Sequence, residues 1–281
     1  MSVSAGSMAA PATAATAPVE ILRDGLRRLG RVVVAFSGGA DSALLAWVAH
    51  DTLGRDAVLC ATALSPSLAG EEERDCRSLA AEWGLRWVGV PTAEMQDAAY
   101  VANGSDRCAR CKTALMEALG PLAEAEGATV VLGVNVSDLG DHRPGQAAAA
   151  DAGAVFPLVD AGFAKDDVRH WSRVLGLRTW DKPAAACLAS RLPYGTPVTL
   201  GTLRSVEEAE AALRGLGFDA LRVRHYGDTA RIEVPVDDLA RLVAARDEVV
   251  TAVRLAGYRY VTLDLEGLRS GNLNAALADL A

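Results

Sequence analysis

The chain has 281 residues, of which 51% are hydrophobic and 23% charged, a balance typical of a globular protein. This composition excludes a disordered, collagen-like or disulfide-stapled chain, and no apolar run reaches the roughly 18 residues that a membrane-spanning helix needs. The net charge of -8 disfavours nucleic acid as a partner, because binding to a phosphate backbone needs a basic surface. Five cysteines, an odd number, are typical of a reducing compartment, so we expect a cytoplasmic protein.

The N-terminal two thirds of the chain show the pattern of an α/β domain. Residues 1–18 carry no charge and offer little to bury, so we predict a disordered tail there. In residues 19–180, short β-branched strands alternate with helices, which predicts an open, mostly parallel α/β sheet. The predicted elements are a short first helix that starts near Val19 and carries Leu22, Leu26 and Leu29, strands at 31–36, 57–64, 85–90 and 129–132, and helices at 43–50, 71–83 and 112–126.

The pattern changes after residue 180. Residues 181–197 are rich in Pro, Ala and Gly and are predicted to be a loop that links two domains. Residues 198–281 follow a helix–strand–strand–helix–strand order, which predicts a smaller α+β domain. The predicted elements there are helices at 202–216 and 237–255 and strands at 220–226, 230–234 and 259–263.

A glycine-rich hexapeptide, residues 37–42, lies between the first predicted strand and the next helix. Ligands bind at such junctions in open parallel sheets. Gly38 and Gly39 allow the backbone to approach an anion closely, and the amides at the helix start attract it. Ser37 and Ser42 add hydroxyl donors, while Asp41 can hold Mg²⁺. A plain glycine turn is the alternative, since the lysine and the spacing of a Walker loop are missing.

A second informative residue is Cys187, in the predicted loop. Lys182 and Arg191 lie near it in sequence, and neighbouring cations favour the thiolate, the nucleophilic form of cysteine. A lone cysteine is more often a small buried hydrophobic residue, so the local sequence leaves both interpretations open.

Two further patterns involve charge and sulfur. Arg222 and Arg224 share one face of a predicted strand, and Arg231 and Glu233 share a face of the next. Three guanidinium groups on two strands suit a phosphate or carboxylate, with a solvated sheet face as the alternative.

The remaining pattern is a single Cys-x-x-Cys pair at 108–111. It is too small for a structural zinc site, so we favour a structural or nucleotide-proximal helix start and leave redox and metal roles open.

The hexapeptide 37–42 resembles the PP-loop of the ATP pyrophosphatase superfamily, whose fold is the adenine nucleotide alpha hydrolase-like parallel sheet. Residues 183–199 narrow the resemblance to the LarE family of ATP-dependent sacrificial sulfur transferases. Its motif is close to Pro-x-x-x-Cys-Leu-x-Ser-Arg-x-Pro-Tyr-Gly-Thr-x-(Ile/Val)-Thr, and all of these positions match here. Shorter similar stretches lie at 63–67, 107–112 and 132–145.

The resemblance implies a reaction in nickel-pincer nucleotide biosynthesis, which serves lactate racemase maturation. ATP adenylates a carboxylate of pyridinium biscarboxylic acid mononucleotide, and the Cys187 thiolate displaces AMP. Elimination then leaves a thiocarboxylate on the product and dehydroalanine in the protein, with a base that the sequence does not identify. Cys187 is the only cysteine after residue 111, so we do not expect an iron–sulfur cluster at its loop.

The resemblance also implies the site residues. Cys187 is the nucleophile and sulfur donor, and Asp41 is catalytic and contacts Mg²⁺ through ATP. The residues implied to bind ATP and pyrophosphate are Ser37, Gly38, Gly39, Asp41, Ser42, Ala63, Ser65, Gly133 and Asn135. Those implied to bind the substrate are Ser190, Arg191, Arg222, Arg224, Glu233 and Glu210, with Glu207 or Glu208 as alternatives to Glu210. The implied partners are a small pyridinium nucleotide and further copies of the chain, in a homo-oligomer such as a hexamer, without nucleic acid or membrane.

Two other interpretations compete. Another PP-loop enzyme, an amide ligase or a tRNA-thiolating enzyme, would use the same hexapeptide 37–42, which we call the phosphate loop. A ligase would normally bring an ammonia source, and the sequence shows no glutaminase-like nucleophile; a tRNA enzyme is expected to be more basic. A non-enzymatic nucleotide-binding module is disfavoured because Asp41 and Ser42 are both present.

Overall fold

The structure is a computed structural model that describes residues 18–140, 144–183 and 186–269. The predicted disordered tail lies outside the described residues apart from Pro18, which begins the first helix. No helix of the described ranges is long and apolar enough to cross a membrane.

The first sheet has four parallel strands, β1 (Val32–Ala35), β2 (Val58–Leu64), β3 (Arg86–Pro91) and β4 (Thr129–Leu132). Their order across the sheet is β3-β2-β1-β4. The chain therefore proceeds to one side of β1 and then returns to its other side. In open parallel sheets, ligands bind at the carboxyl ends of the strands beside such a reversal.

Helices cover both faces of this sheet, which explains why β1 consists of apolar residues alone. They are α1 (Pro18–Leu29), α2 (Ala40–Leu53), α3 (Gly70–Glu82), α4 (Ala98–Val101), α5 (Arg107–Glu126), α6 (Pro144–Asp151), α7 (Pro157–Asp160) and α8 (Lys165–Val174). Val34 packs in one core with α1, α2, α3, α7 and α8, and Val33 packs in another with α5 and α6. Both valines are fully buried, as expected for a strand covered on both sides.

The second sheet has its own core. Its strands are β5 (Arg222–Tyr226), β6 (Thr229–Glu233) and β7 (Tyr260–Leu263), and they lie in that order. β5 and β6 are antiparallel, whereas β6 and β7 are parallel. Helices α9 (Leu200–Gly215), α10 (Leu239–Ala244) and α11 (Arg246–Leu255) pack on this sheet through apolar residues, including Leu213 and Val253.

The predicted fold class is confirmed: a parallel α/β sheet is followed by a separate, smaller C-terminal sheet with helices. The domain boundaries stay a prediction. Several elements differ from those predicted. Helix α5 begins five residues before residue 112, and the helix predicted at 237–255 is divided at Ala245. The helices α4, α6, α7 and α8 were not predicted. The predicted loop also contains a short 3-10 helix, Leu188–Arg191.

One glycine allows the end of β4 to lie against the start of α2. A Cβ atom at Gly133 would be 2.7 Å from the backbone nitrogen of Ser42 and 2.9 Å from the carbonyl carbon of Asp41. Real Cβ atoms do not approach backbone so closely, and these backbone atoms belong to the first turn of a packed helix. The contact therefore requires glycine.

We expect Gly133→Ala to destabilise the protein by about 1–3 kcal/mol, because one strand end must move away from α2. Urea unfolding followed by circular dichroism measures the change. The matched control is Gly215→Ala at the end of α9, where an added Cβ meets nothing within 4 Å. This control is expected to be neutral or to stabilise by up to about 1 kcal/mol. Equal stability of the two variants would contradict the close-approach argument.

Candidate active site

A cavity of about 280 Å³ lies at the carboxyl ends of β1, β2 and β4. It brings together residues that are far apart in the sequence, from Ala35 to Cys187. The predicted site residues that line it are Ser37, Gly39, Asp41, Ser42, Ala63, Ser65, Gly133 and Cys187. The phosphate loop, the end of β2 and the cysteine predicted to donate sulfur thus face one space.

The phosphate loop is held by its own serines. The backbone N–H of Ser37 donates to Ser42 Oγ at 3.2 Å, and the two hydroxyl oxygens are 3.0 Å apart. Gly38 has a φ of 68°, which favours glycine, and a Cβ there would be 3.0 Å from Cys76 Sγ. Helix α2 begins with no side-chain cap from Gly39. Its first amides are therefore available to an anion such as a phosphate group.

Asp41 lies in the first turn of α2 and is held by Asn135, which follows β4. Asn135 Nδ2 donates to Asp41 Oδ1 at 2.9 Å. Burial raises the pKa of Asp41 above its usual value, although this hydrogen bond opposes the rise. Asn135 is buried, and its Oδ1 accepts no hydrogen bond from the part of the chain that the structure describes. A carboxylate beside an unpartnered amide oxygen suits a hard cation.

The cavity contains a buried carboxylate that sequence reasoning missed. Glu94 is 2% exposed and follows β3 in a short 3-10 helix. Ser65 Oγ donates to its Oε1, while its Oε2 has no hydrogen-bond partner among the described residues. An acidic residue just beyond a predicted parallel strand is the signal that could have identified it.

Cys111 lines the same cavity from the second turn of α5, whereas Cys108 is exposed. Burial raises the pKa of the Cys111 thiol to about 11, and the nearby Cys187 and Glu94 raise it further against the effect of Lys112. The Cys111 sulfur is therefore a protonated thiol at neutral pH. Within residues 18–140, 144–183 and 186–269, no cluster of three His, Cys, Asp or Glu side chains could hold a metal ion.

The segment that follows Cys187 is attached to the first sheet by main-chain contacts. The N–H of Leu188 donates to the carbonyl oxygen of Ser67 at 2.8 Å. Arg107 Nη1 donates to the carbonyl oxygen of Ala189 at 2.8 Å and to Asn103 Oδ1 at 2.6 Å. Cys187 itself is exposed at the start of the short helix. The hydrogen bonds of Leu188 and Ala189, the two residues that follow, thus hold Cys187 in position.

Neither cation that the sequence places near Cys187 is free. Lys182 Nζ contacts Glu72 at 2.7 Å and Asp75 at 2.6 Å, and these carboxylates raise the pKa of the lysine despite burial. Arg191 pairs with Glu210 through two hydrogen bonds of 2.8 and 3.1 Å. The expectation that these cations activate the thiolate therefore has no support in their contacts.

The residues predicted to bind the substrate form a second cluster, on the other side of the short helix. Arg224 donates to both carboxylate oxygens of Glu233 at 3.0 Å and to the carbonyl oxygen of Ser190 at 2.8 Å. Arg231 also donates to Glu233, at 3.1 Å. Two of the three guanidinium groups predicted to form an anion face are thus paired with a carboxylate.

Arg222 is the exception in this cluster. Burial, together with Arg224 and Arg191, lowers its pKa, and it makes no ion pair with any described residue. Its one side-chain hydrogen bond within the described ranges goes to the carbonyl oxygen of Arg269 at 3.1 Å. A half-buried guanidinium without a carboxylate suits an anionic ligand.

The structure also distinguishes the alternatives on α9. Glu210 is buried and accepts hydrogen bonds from Arg191 and from the N–H of Val223 at 3.1 Å. Glu207 instead accepts from the N–H of Gly70, and Glu208 pairs with an exposed arginine. Of the three, Glu210 belongs to the cluster.

No family model matches the chain. It is similar to an uncharacterized protein of Synechocystis, at 45% identity over 92% of this chain and 97% of that protein. It is 40% identical to the pyridinium-3,5-bisthiocarboxylic acid mononucleotide synthase of Lactiplantibacillus plantarum, over 90% of this chain and 92% of that one. An uncharacterized protein of Methanocaldococcus jannaschii is 27% identical over 85% of this chain and 91% of its own length. The second of these similarities shows that the chain belongs to the LarE family of pyridinium-3,5-bisthiocarboxylic acid mononucleotide synthases.

Proposed function

We propose that this chain is an ATP-dependent sacrificial sulfur transferase in nickel-pincer nucleotide biosynthesis. It converts a carboxylate of pyridinium biscarboxylic acid mononucleotide to a thiocarboxylate with the sulfur of Cys187. The observation that carries the proposal is that Cys187 and the phosphate loop line one cavity. The name of the Lactiplantibacillus plantarum relative supports the same chemistry.

The phosphate loop is suited to the polyphosphate of ATP. The hydroxyl groups of Ser37 and Ser42 and the first amides of α2 are donors on one side of the cavity. Asp41 and the unpartnered Oδ1 of Asn135 would hold Mg²⁺ together with phosphate oxygens. When bound, this ion neutralises phosphate charge during adenylation.

The second cluster, which we call the arginine cluster, is suited to the phosphate of the substrate nucleotide. It consists of Arg191, Arg222, Arg224 and Arg231 with Glu210 and Glu233. Arg222 makes no ion pair with any described carboxylate, although Glu233 and Glu210 are near enough to act on its pKa, so we assign it the anion contact. Arg191 binds Glu210, and Arg224 binds Glu233 and the carbonyl oxygen of Ser190. We therefore assign both arginines a positioning role: they hold the described part of residues 181–197, the cysteine loop, against the second sheet.

Sulfur transfer then needs two steps at residue 187. The Cys187 sulfur attacks the acyl carbon of the adenylate, the acyl–oxygen bond breaks and AMP leaves, which forms a thioester to the protein. In the second step residue 187 loses its Cα proton, the Cβ–S bond breaks with its electron pair on sulfur, the sulfur stays on the product and residue 187 becomes dehydroalanine. The cytoplasmic location and the homo-oligomer remain predictions.

Incubation with ATP, Mg²⁺ and the pyridinium mononucleotide is expected to leave each protein molecule lighter by one H₂S, with the change mapped to Cys187. Intact-protein mass spectrometry followed by peptide mapping measures it. An unchanged mass during many turnovers would contradict the sacrificial reaction and favour a different PP-loop activity.

Cys187→Ala is expected to release pyrophosphate but to transfer no sulfur, because adenylation does not need the thiol. Pyrophosphate release and product thiocarboxylate are measured in parallel. Cys108→Ala, an exposed cysteine outside the cavity lining, is the matched control and should transfer sulfur like the wild type. Normal sulfur transfer by Cys187→Ala would show that another group is the donor.

Asp41→Asn is expected to stabilise the fold while it lowers pyrophosphate release by at least about tenfold. Burial raises the pKa of Asp41 in the folded protein, so its charged form is unfavourable when buried, and the cost is present above that folded pKa. Asparagine avoids this cost and can still accept from Asn135. The difference in unfolding free energy between Asp41→Asn and the wild type should therefore shrink as the pH falls through the pKa of Asp41 in the folded protein. If Asp41→Asn remained more stable than the wild type by the same amount at acidic pH, the burial of the Asp41 charge would not be the cause.

A further inference from the structure

The proposed reaction requires a base that the sequence does not identify. Cleavage of the Cβ–S bond of residue 187 begins with loss of the proton on its Cα. Apart from Cys187, the described acid–base groups that line the cavity are Asp41, Glu94, Cys111 and Lys112. Each can be judged from its contacts.

Three of these groups are poor acceptors for that proton. Asp41 lies at the phosphate loop, where it accepts a hydrogen bond from Asn135 and faces the site proposed for Mg²⁺. Cys111 is already protonated at neutral pH, because burial raises its pKa to about 11. The ammonium group of Lys112 is a donor without a free electron pair.

Glu94 has the properties of an acceptor. Glu94 is almost fully buried and is one of the residues that line the cavity, and its Oε2 accepts no hydrogen bond from any described residue. A buried polar atom without a partner is uncommon and calls for an explanation, such as a catalytic role. The hydroxyl of Ser65 donates to the other oxygen, so Oε1 is engaged and Oε2 is left for a ligand or a proton.

A short series of hydrogen bonds connects Glu94 with the residue after Cys187. Ser65 Oγ donates to Glu94 and accepts from the N–H of Ser67 at 3.0 Å. The carbonyl oxygen of Ser67 in turn accepts from the N–H of Leu188 at 2.8 Å. The carboxylate and the main chain of the cysteine are therefore fixed against the same turn, which follows β2.

The carbonyl group of Cys187 is prepared for loss of the α-proton. Its oxygen accepts hydrogen bonds from the N–H of Ser190 at 2.9 Å and from Arg191 Nη1 at 3.2 Å. When the α-proton leaves, negative charge develops on this oxygen, and fixed donors at the developing charge stabilise it. A guanidinium among those donors makes the α-carbon more acidic.

We propose that Glu94 accepts the α-proton of Cys187 in the carbon–sulfur cleavage step. The proton passes to Oε2, the electron pair of the Cα–H bond forms the Cα–Cβ double bond, and the Cβ–S pair leaves with the sulfur. The products are protonated Glu94, dehydroalanine at position 187 and the thiocarboxylate. This assignment rests on the proposed function.

The test follows Glu94→Gln through a single reaction with ATP, Mg²⁺ and the pyridinium mononucleotide. The variant is expected to release one pyrophosphate per chain and to accumulate the thioester, seen as protein heavier by the acyl group. Dehydroalanine should form about 10²–10⁴ times more slowly than in the wild type. Glu94→Ala should behave likewise, and added formate should accelerate its cleavage step, because a small carboxylate can replace the missing base.

The matched control is Glu73→Gln, a partly exposed residue of α3 that pairs with Arg77 and does not line the cavity, and it should react like the wild type. Dehydroalanine formation by Glu94→Gln at the wild-type rate would overturn the assignment. Loss of pyrophosphate release by Glu94→Gln would also overturn it, because Glu94 would then act before the carbon–sulfur bond is cleaved. If the wild type and Glu73→Gln both fail to lose H₂S, the proposed function fails instead, and the two failures are thus distinguishable.

Discussion

The buried guanidinium of Arg191 connects the cysteine loop to the second sheet. Two of its nitrogens hold Glu210, and the third donates to the carbonyl oxygens of Ala186 and Cys187. Glu210 also accepts from the N–H of Val223, so one carboxylate joins α9, β5 and the loop. A buried ion pair is tolerated only when its remaining hydrogen bonds are satisfied, and loss of one partner leaves an uncompensated charge. The main-chain position of Cys187 therefore depends on this pair.

The short helix Leu188–Arg191 is held from both sides. Ser67 and Arg107, from the first sheet and its helices, hold its first two residues, and Arg224, from the second sheet, holds the carbonyl oxygen of Ser190. Cys187 is thus placed where the cavity and the arginine cluster meet. The proposed reaction adenylates a bound nucleotide with ATP and then transfers sulfur to it, so both binding regions must lie beside one sulfur atom, and this short helix is the element that they share.

The sequence could predict the cavity better than the arginine cluster. Carboxyl ends of parallel strands meet at one edge, so the position of residues 37–42 followed from the strand pattern, whereas Ser65 was implied by the resemblance to the LarE family. The partners of Arg224 did not follow, because β-strand alternation places side chains on a face without saying which carboxylate they reach. The observed register sets Arg222 opposite Glu233, yet it is Arg224 that binds Glu233 through both oxygens. Such diagonal contacts depend on strand twist and side-chain length, which a linear pattern does not contain.

The paired state of the cations near Cys187 is consistent with a cysteine that reacts once. An enzyme that uses a thiol repeatedly gains from a lowered pKa at every turnover, whereas a sulfur donor is consumed. Here Lys182 is held by Glu72 and Asp75, and Arg191 by Glu210, so their charges are balanced before any substrate binds. In the proposed reaction the driving force for thioester formation then comes from the adenylate leaving group. The contacts of the protein are concentrated instead on the Cys187 carbonyl oxygen, where charge appears only when carbon and sulfur separate.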